Sequence, residues 1–464
     1  MRTLCLNFQL HQPFRLKKYH FFDIGKDSYY YDDFKNKSII TKVAKNCYLP
    51  TNQVLLDLIK IYGDTFKVSF SISGLALDQL EMYAPEVIES FQKLAKTGNV
   101  EFIGELYAHS LASLISEEEL VQQIKLYNQK IKRMFNTAPK VFRNTEMIYN
   151  DNIGEIVSKL GFDAIMTEGA NHILGWKSPH FVYYNPVAPK LKILLRHYEL
   201  SDDIAFRFSD RSWAAWPLTT EKYVSWLNGL EPSDKLVNLT MAYESFGEHH
   251  KADTGILAFL KALPNTLHQK SDFRLATPSE VIQKHTPKAS LHIPDTISWS
   301  DAEKDLTAWL GNEMQEEAFE KLYKLQSIVS KIKDKAIQRD WLYLQASDHF
   351  FYMSTKYYAD EEVHNYFNPY DSPYEAFINY MNILSDFIRR IGQAIPVDKA
   401  DEILLQNGSK EDLEELIKKS RKALKQLQKE PLPKVKSSKE PSSIEIEKNI
   451  PQTNTVAQKP DVIK

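Results

Sequence analysis

The stretch Asn238–His250, "NLTMAYESFGEHH", gathers two carboxylates, Glu244 and Glu248, and two imidazoles, His249 and His250, within a few residues. Side chains of these types do two sorts of chemistry. Carboxyl groups that converge on one site can serve as general acid and base. Imidazoles with a carboxylate can hold zinc, and His11, Glu248, His249 and His250 include the ligand types for a metal-dependent hydrolase. Against the metal reading, His249 and His250 are adjacent rather than one helical turn apart, and no cysteine cluster joins them. Three further stretches carry chemistry: "HQP" at His11–Pro13, "GELYAH" at Gly104–His109 and "FRNTEMIYN" at Phe142–Asn150. Taken singly, each has a structural alternative, His11 as a hydrogen-bonded core histidine and Glu146 as a helix cap or solvated acid.

Residues so far apart in the chain act together only if the elements between them return to one place. Along a strand, alternate side chains share a face. Leu4, Leu6, Phe8 and Leu10 oppose Cys5, Asn7, Gln9 and His11; Val68, Phe70 and Ile72 oppose Ser69, Ser71 and Ser73; Val237, Leu239 and Met241 oppose Asn238, Thr240, Ala242 and Glu244. Each such strand is followed by a long helix-like segment, which predicts parallel pairing. Strands are expected near 3–10, 67–73, 100–104, 140–145, 162–167, 191–196, 235–243 and 272–276. The chain over 1–285 therefore reads as an α/β fold, a parallel (β/α)7-type, incomplete TIM-like barrel whose site lies where strands end. All four loaded stretches then meet at one mouth. Residues 300–394 read as amphipathic helices, a helical bundle completing the cleft. Residues 395–430 read as a short helical extension and 431–464, poor in large apolar groups, as a disordered tail.

A hydrophobic content of 43% over 464 residues suffices for a sizeable core. A net charge of −3 leaves no polybasic footprint, so neither nucleic acid nor an anionic membrane is expected as partner. Only Cys5 and Cys47 are present, which excludes a disulfide scaffold. The first residues turn polar too soon for a signal peptide, and no run of 18 apolar residues occurs, so a cytoplasmic location is expected.

The ordered motifs resemble glycoside hydrolase family 57, the α-amylase-like group. The resemblance rests on "HQP", "GELYAHS", "FRNTEMIYN", "YESFGEH" and "SDHFFYM" at Ser347–Met353, with "FFDIG", "CYLP" and "LSDDIAFRFS" beside them. It spans Met1 to about Ile395. It implies a retaining glycosidase acting on an α-glucan or maltooligosaccharide, without a cofactor. By the same resemblance Glu146 matches the nucleophile, His11 and His109 bind or orient the sugar, and Glu105, Glu244 and Asp348 line the mouth. One position departs from the pattern: the acid/base aspartate that opens "DxExFG" in the family is Ala242 here. Three outcomes follow. The chain is a non-catalytic glucan-binding pseudoenzyme, Glu244 two residues along the same face has become the acid, or another mouth group such as Glu105 or His249 donates.

Overall fold

The computed structural model describes residues 2–356 and 367–395. Its sheet contains β1 (Arg2–Leu10), β2 (Val68–Ile72), β3 (Val100–Phe102), β4 (Val141–Arg143), β5 (Ala164–Glu168), β6 (Tyr183–Tyr184), β7 (Lys192–Arg196), β8 (Leu236–Ala242) and β9 (Phe273–Leu275). The main path runs β3-β2-β1-β8-β7-β5-β4 and is parallel throughout. The β9 strand adds to the start of β1, and β6 adds antiparallel to β7. The two ends of the path meet at a parallel bridge between Gly104 and Phe142. There Gly104 N–H donates to Val141 O at 2.8 Å and Arg143 N–H to Gly104 O at 2.8 Å. The result is an incomplete (β/α)7 barrel. Gly104 suits this seam because a Cβ would lie 2.7 Å from Phe162 Cε1 and 3.2 Å from Phe142 Cδ2.

The alternation along the strands sorts two interiors. Phe8, Phe70, Leu239 and Met241 pack outward into a large apolar cluster with helix residues such as Leu55, Phe91 and Leu260. Burying each such side chain contributes roughly 1.5–3 kcal/mol. The opposite face is polar and pairs with itself: Asn7 Nδ2 donates to Leu239 O at 3.0 Å, Ser69 Oγ donates to Asn7, and Arg143 Nη2 donates to Gln9 Oε1 at 2.7 Å. At one end of that face, Cys5, Val141, Met166, Leu194 and Leu236 form a smaller apolar plug. Each expected strand interval contains a strand, whereas β6, two residues long, carries no periodicity to read.

After β9 the elements are helical, from Pro278–Lys284 to the long helix Pro373–Ala394, and they belong to one compact unit with the barrel. Polar anchors dock them: Tyr31 OH donates to Asp340 at 2.9 Å, Tyr30 OH to Asp386 at 2.8 Å, and Gln123 Nε2 to Gln345 Oε1 at 3.0 Å. Beyond Ile395, the expected helical extension and the tail over 431–464 lie outside the described residues. Among the described residues no helix is long and apolar enough to cross a membrane.

Candidate active site

The ends of β1, β4 and β8 and the loop after β3 open into a cleft of about 690 Å³, lined by His11, His109, Glu146, Ala242, Glu244 and Asp348 among others. Glu146 stands in the turn after β4, and its backbone is left-handed (φ 53°, ψ 23°), as is that of Met147 (φ 54°). Such a conformation in a non-glycine residue costs about 1–3 kcal/mol and persists only where the surroundings enforce it. The enforcing groups are visible. Segment 297–299 runs antiparallel beside 146–149, with Tyr149 N–H and Ile297 N–H bonded reciprocally at 3.0 Å and Trp299 N–H donating to Glu146 O at 3.0 Å.

Three side chains fix the Glu146 carboxylate. His109 Nε2 lies 3.2 Å from Oε1, Ser347 Oγ donates to Oε1 at 3.0 Å, and Trp299 Nε1–H donates to Oε2 at 2.7 Å. Burial works to neutralise Glu146, but the hydrogen bond and charge of His109, helped by Arg143, outweigh it and hold the carboxyl below its ordinary range. His109 owes its charge to Glu105, which bonds its Nδ1 while also accepting from Ser71 Oγ. Burial disfavours the imidazolium, yet Glu105 and Glu146 on its two nitrogens more than offset this, and its pKa is pushed up to about 9.

The ring of His11 stacks on that of His109, centroids 4.0 Å apart. Two stacked imidazoliums would repel. Burial and the charge of His109 lower the pKa of His11 despite Asp348, so His11 is the neutral member. One tautomer then satisfies both nitrogens: Nε2–H donates to Asp348 Oδ2 at 2.8 Å and Nδ1 accepts from Ser73 Oγ at 2.7 Å. Burial opposes the Asp348 charge, but His11 and His109 hold its carboxyl well below the usual range.

Glu244 lives in a different environment. Tyr48 OH at 2.5 Å and Gln12 Nε2 at 3.0 Å both donate to Oε1, and Oε2 has no side-chain partner among the described residues. Desolvation dominates and raises its pKa. The wall beyond Ala242 is built by Arg196, at the end of β7, which bonds Glu168 Oε2 at 3.0 Å and Thr240 O at 2.8 Å and also pairs with Asp202. Arg143 and Arg196 both lie against the Trp299 ring, 4.7 Å and 5.6 Å from its centroid.

The structure thus brings His11, His109, Glu146, Ala242, Glu244 and Asp348 to one cleft, and His249 lines it as well. Glu105 is not at the mouth. It is fully buried behind His109 and does not line the cleft, and this corrects the expectation that it lines the mouth. The four residues of the metal reading also separate. Glu248 is buried against Lys42 at 2.6 Å, and His250 sits between Ser209 Oγ at 2.6 Å and Ala205 O at 2.9 Å, both away from His11. Among the described residues no three His, Cys, Asp or Glu side chains are grouped to hold a metal ion. Sequence reasoning missed Ser347, Arg196 and Trp299. Ser347 opens the "SDHFFYM" block, and a charged residue ending a barrel strand is a signal for Arg196. No local pattern marks Trp299.

Comparison with known proteins agrees with this architecture. The family model for glycosyl hydrolase family 57 matches residues 5–294. A Methanocaldococcus jannaschii protein named "Putative alpha-amylase" is 42% identical over 400 residues, 83% of this chain and 84% of that one. "Alpha-amylase 1" of Dictyoglomus thermophilum is 24% identical over 63% of this chain and 40% of its own length. The fold is similar to that of a branching enzyme of the same family from Thermococcus kodakaraensis, with a TM-score of 0.60, 14% identity, and coverage of 88% of this chain and 94% of that one. From the matched span and the identity to the first of these relatives, the chain belongs to glycosyl hydrolase family 57.

Proposed function

We propose that the chain is a retaining glycosidase acting on α-glucans, in which Glu146 is the nucleophile and Glu244 serves as the acid in place of the aspartate absent at Ala242. The observation that carries this reading is the opposite tuning of two carboxyls lining one cleft: Glu146 is held down by His109 and Arg143, and Glu244 is raised by burial. Environments that push two carboxyls apart assign the ionised one to attack and the protonated one to proton donation. Glu146 attacks the anomeric carbon as Glu244, through Oε2, protonates the departing glycosidic oxygen. Glu244 then takes a proton from the water that releases the sugar. The α-amylase names of the relatives support an α-glucan as substrate.

Ala242 itself favours a second reading, a cleft that binds glucan without turnover. An aryl α-glucoside with a good leaving group separates the two. With Glu244 active, hydrolysis proceeds unaided and Glu244→Gln slows the second step, which azide then accelerates, giving a glycosyl azide of retained configuration. If azide instead accelerates the wild type and Glu244→Gln changes nothing, Glu244 is not the acid.

A further inference from the structure

Trp299 lies outside the span matched by the family model and outside every motif that carries the resemblance. It makes two bonds to one residue, its backbone N–H to Glu146 O at 3.0 Å and its indole N–H to Glu146 Oε2 at 2.7 Å. The segment bearing it is itself fixed. Ser298 N–H donates to Lys304 O at 2.9 Å, Ser298 Oγ to Asp305 O at 2.5 Å, and Lys304 Nζ to Trp299 O at 3.0 Å. The indole cannot swing freely, because two guanidinium groups lie against it and the ring borders the cleft.

The donors on the carboxylate are unequally shared. Oε1 meets both the His109 imidazolium and the Ser347 hydroxyl, while Oε2 meets Trp299 alone among the described residues. A carboxylate oxygen with two donors has both lone pairs engaged, and one with a single donor keeps a lone pair for attack. We propose that Trp299 is a positioning residue that aims Glu146, holding Oε2 as the oxygen that attacks the anomeric carbon. This rests on Glu146 being the nucleophile. In the step, an Oε2 lone pair forms the bond to the anomeric carbon as the bond to the leaving group breaks, and its electron pair departs with the leaving group. Trp299 gives up no proton and stays a hydrogen-bond donor throughout.

The test uses the full chain, Trp299→Phe and a fluorinated α-glucosyl fluoride, whose fluoride leaves without an acid, so trapping of Glu146 is read by intact mass whatever Glu244 does. The variant keeps an aromatic ring beside the two arginines and removes the indole donor. The expected result is trapping slowed about 10- to 100-fold at saturation, the scale of a small misplacement of a reacting group, with the half-saturating concentration unchanged. The acid limb of the trapping rate should also move to higher pH, since a donor to the charged carboxylate is lost. An unchanged saturated rate and acid limb overturns the proposal. A change confined to the half-saturating concentration also overturns it, and makes Trp299 a sugar contact. If the wild type is not trapped, the nucleophile reading fails, and a carbon-13 titration of the Glu146 carboxyl decides the clamp alone: a rise of its pKa in Trp299→Phe supports it and no change sinks it.

Discussion

His109 is charged because two carboxylates face its two nitrogens, and its contribution to stability depends on pH in a stated sense. Its folded pKa of about 9 exceeds the unfolded value of about 6.5. The stabilisation is therefore fully present below about pH 6.5 and is lost as pH rises through about 9. Unfolding free energy from urea titration should fall over that interval in the wild type and fall less in Glu105→Gln, where the imidazole should titrate closer to 6.5 by NMR. Equal slopes for the two proteins would contradict the pairing. At this scale the sequence is readable where a residue sits in a motif: Glu146, His11 and Asp348 follow from their blocks. Depth is not readable. Glu105 looks like a mouth residue because "GELYAH" follows a strand, yet it is fully buried and bonded to His109 Nδ1.

Among the elements, the seam between β3 and β4 is closely packed. Gly104→Ala places a methyl 2.7 Å from the Phe162 ring, and overpacking of this kind costs about 1–3 kcal/mol. Urea midpoints should drop accordingly, and Phe162→Leu in that background should recover part of the loss. A midpoint unmoved by Gly104→Ala would mean that the seam is looser than the geometry says. The strands themselves are legible because side chains alternate with a period of two: the polar parity of Asn7, Gln9, Ser69, Ser71 and Thr240 marks the face turned into the barrel. What escapes is contact at long separation. The indole of Trp299 meets Glu146 across 153 positions, and no periodicity encodes that bond.

At the scale of the whole molecule, the cleft is a joint product of barrel and helices, with Ser347 and Asp348 reaching from the helical segment onto Glu146 and His11. A ligand filling it should stabilise the native state by mass action, about 2.7 kcal/mol at a hundredfold excess over Kd. Maltooligosaccharides should therefore raise Tm in the wild type and equally in Glu146→Gln, which keeps the shape of that side chain. A Tm unmoved by any α-glucan would point to another substrate class. The proposed pairing of Glu146 with Glu244 is decided by the products and anomeric configuration released from maltooligosaccharides by the wild type, Glu244→Gln and Ala242→Asp. Retained α-products are expected from the wild type, with a loss of about 10²- to 10⁴-fold in Glu244→Gln and little gain in Ala242→Asp; an inactive wild type that Ala242→Asp brings to life would contradict the role of Glu244 as the acid.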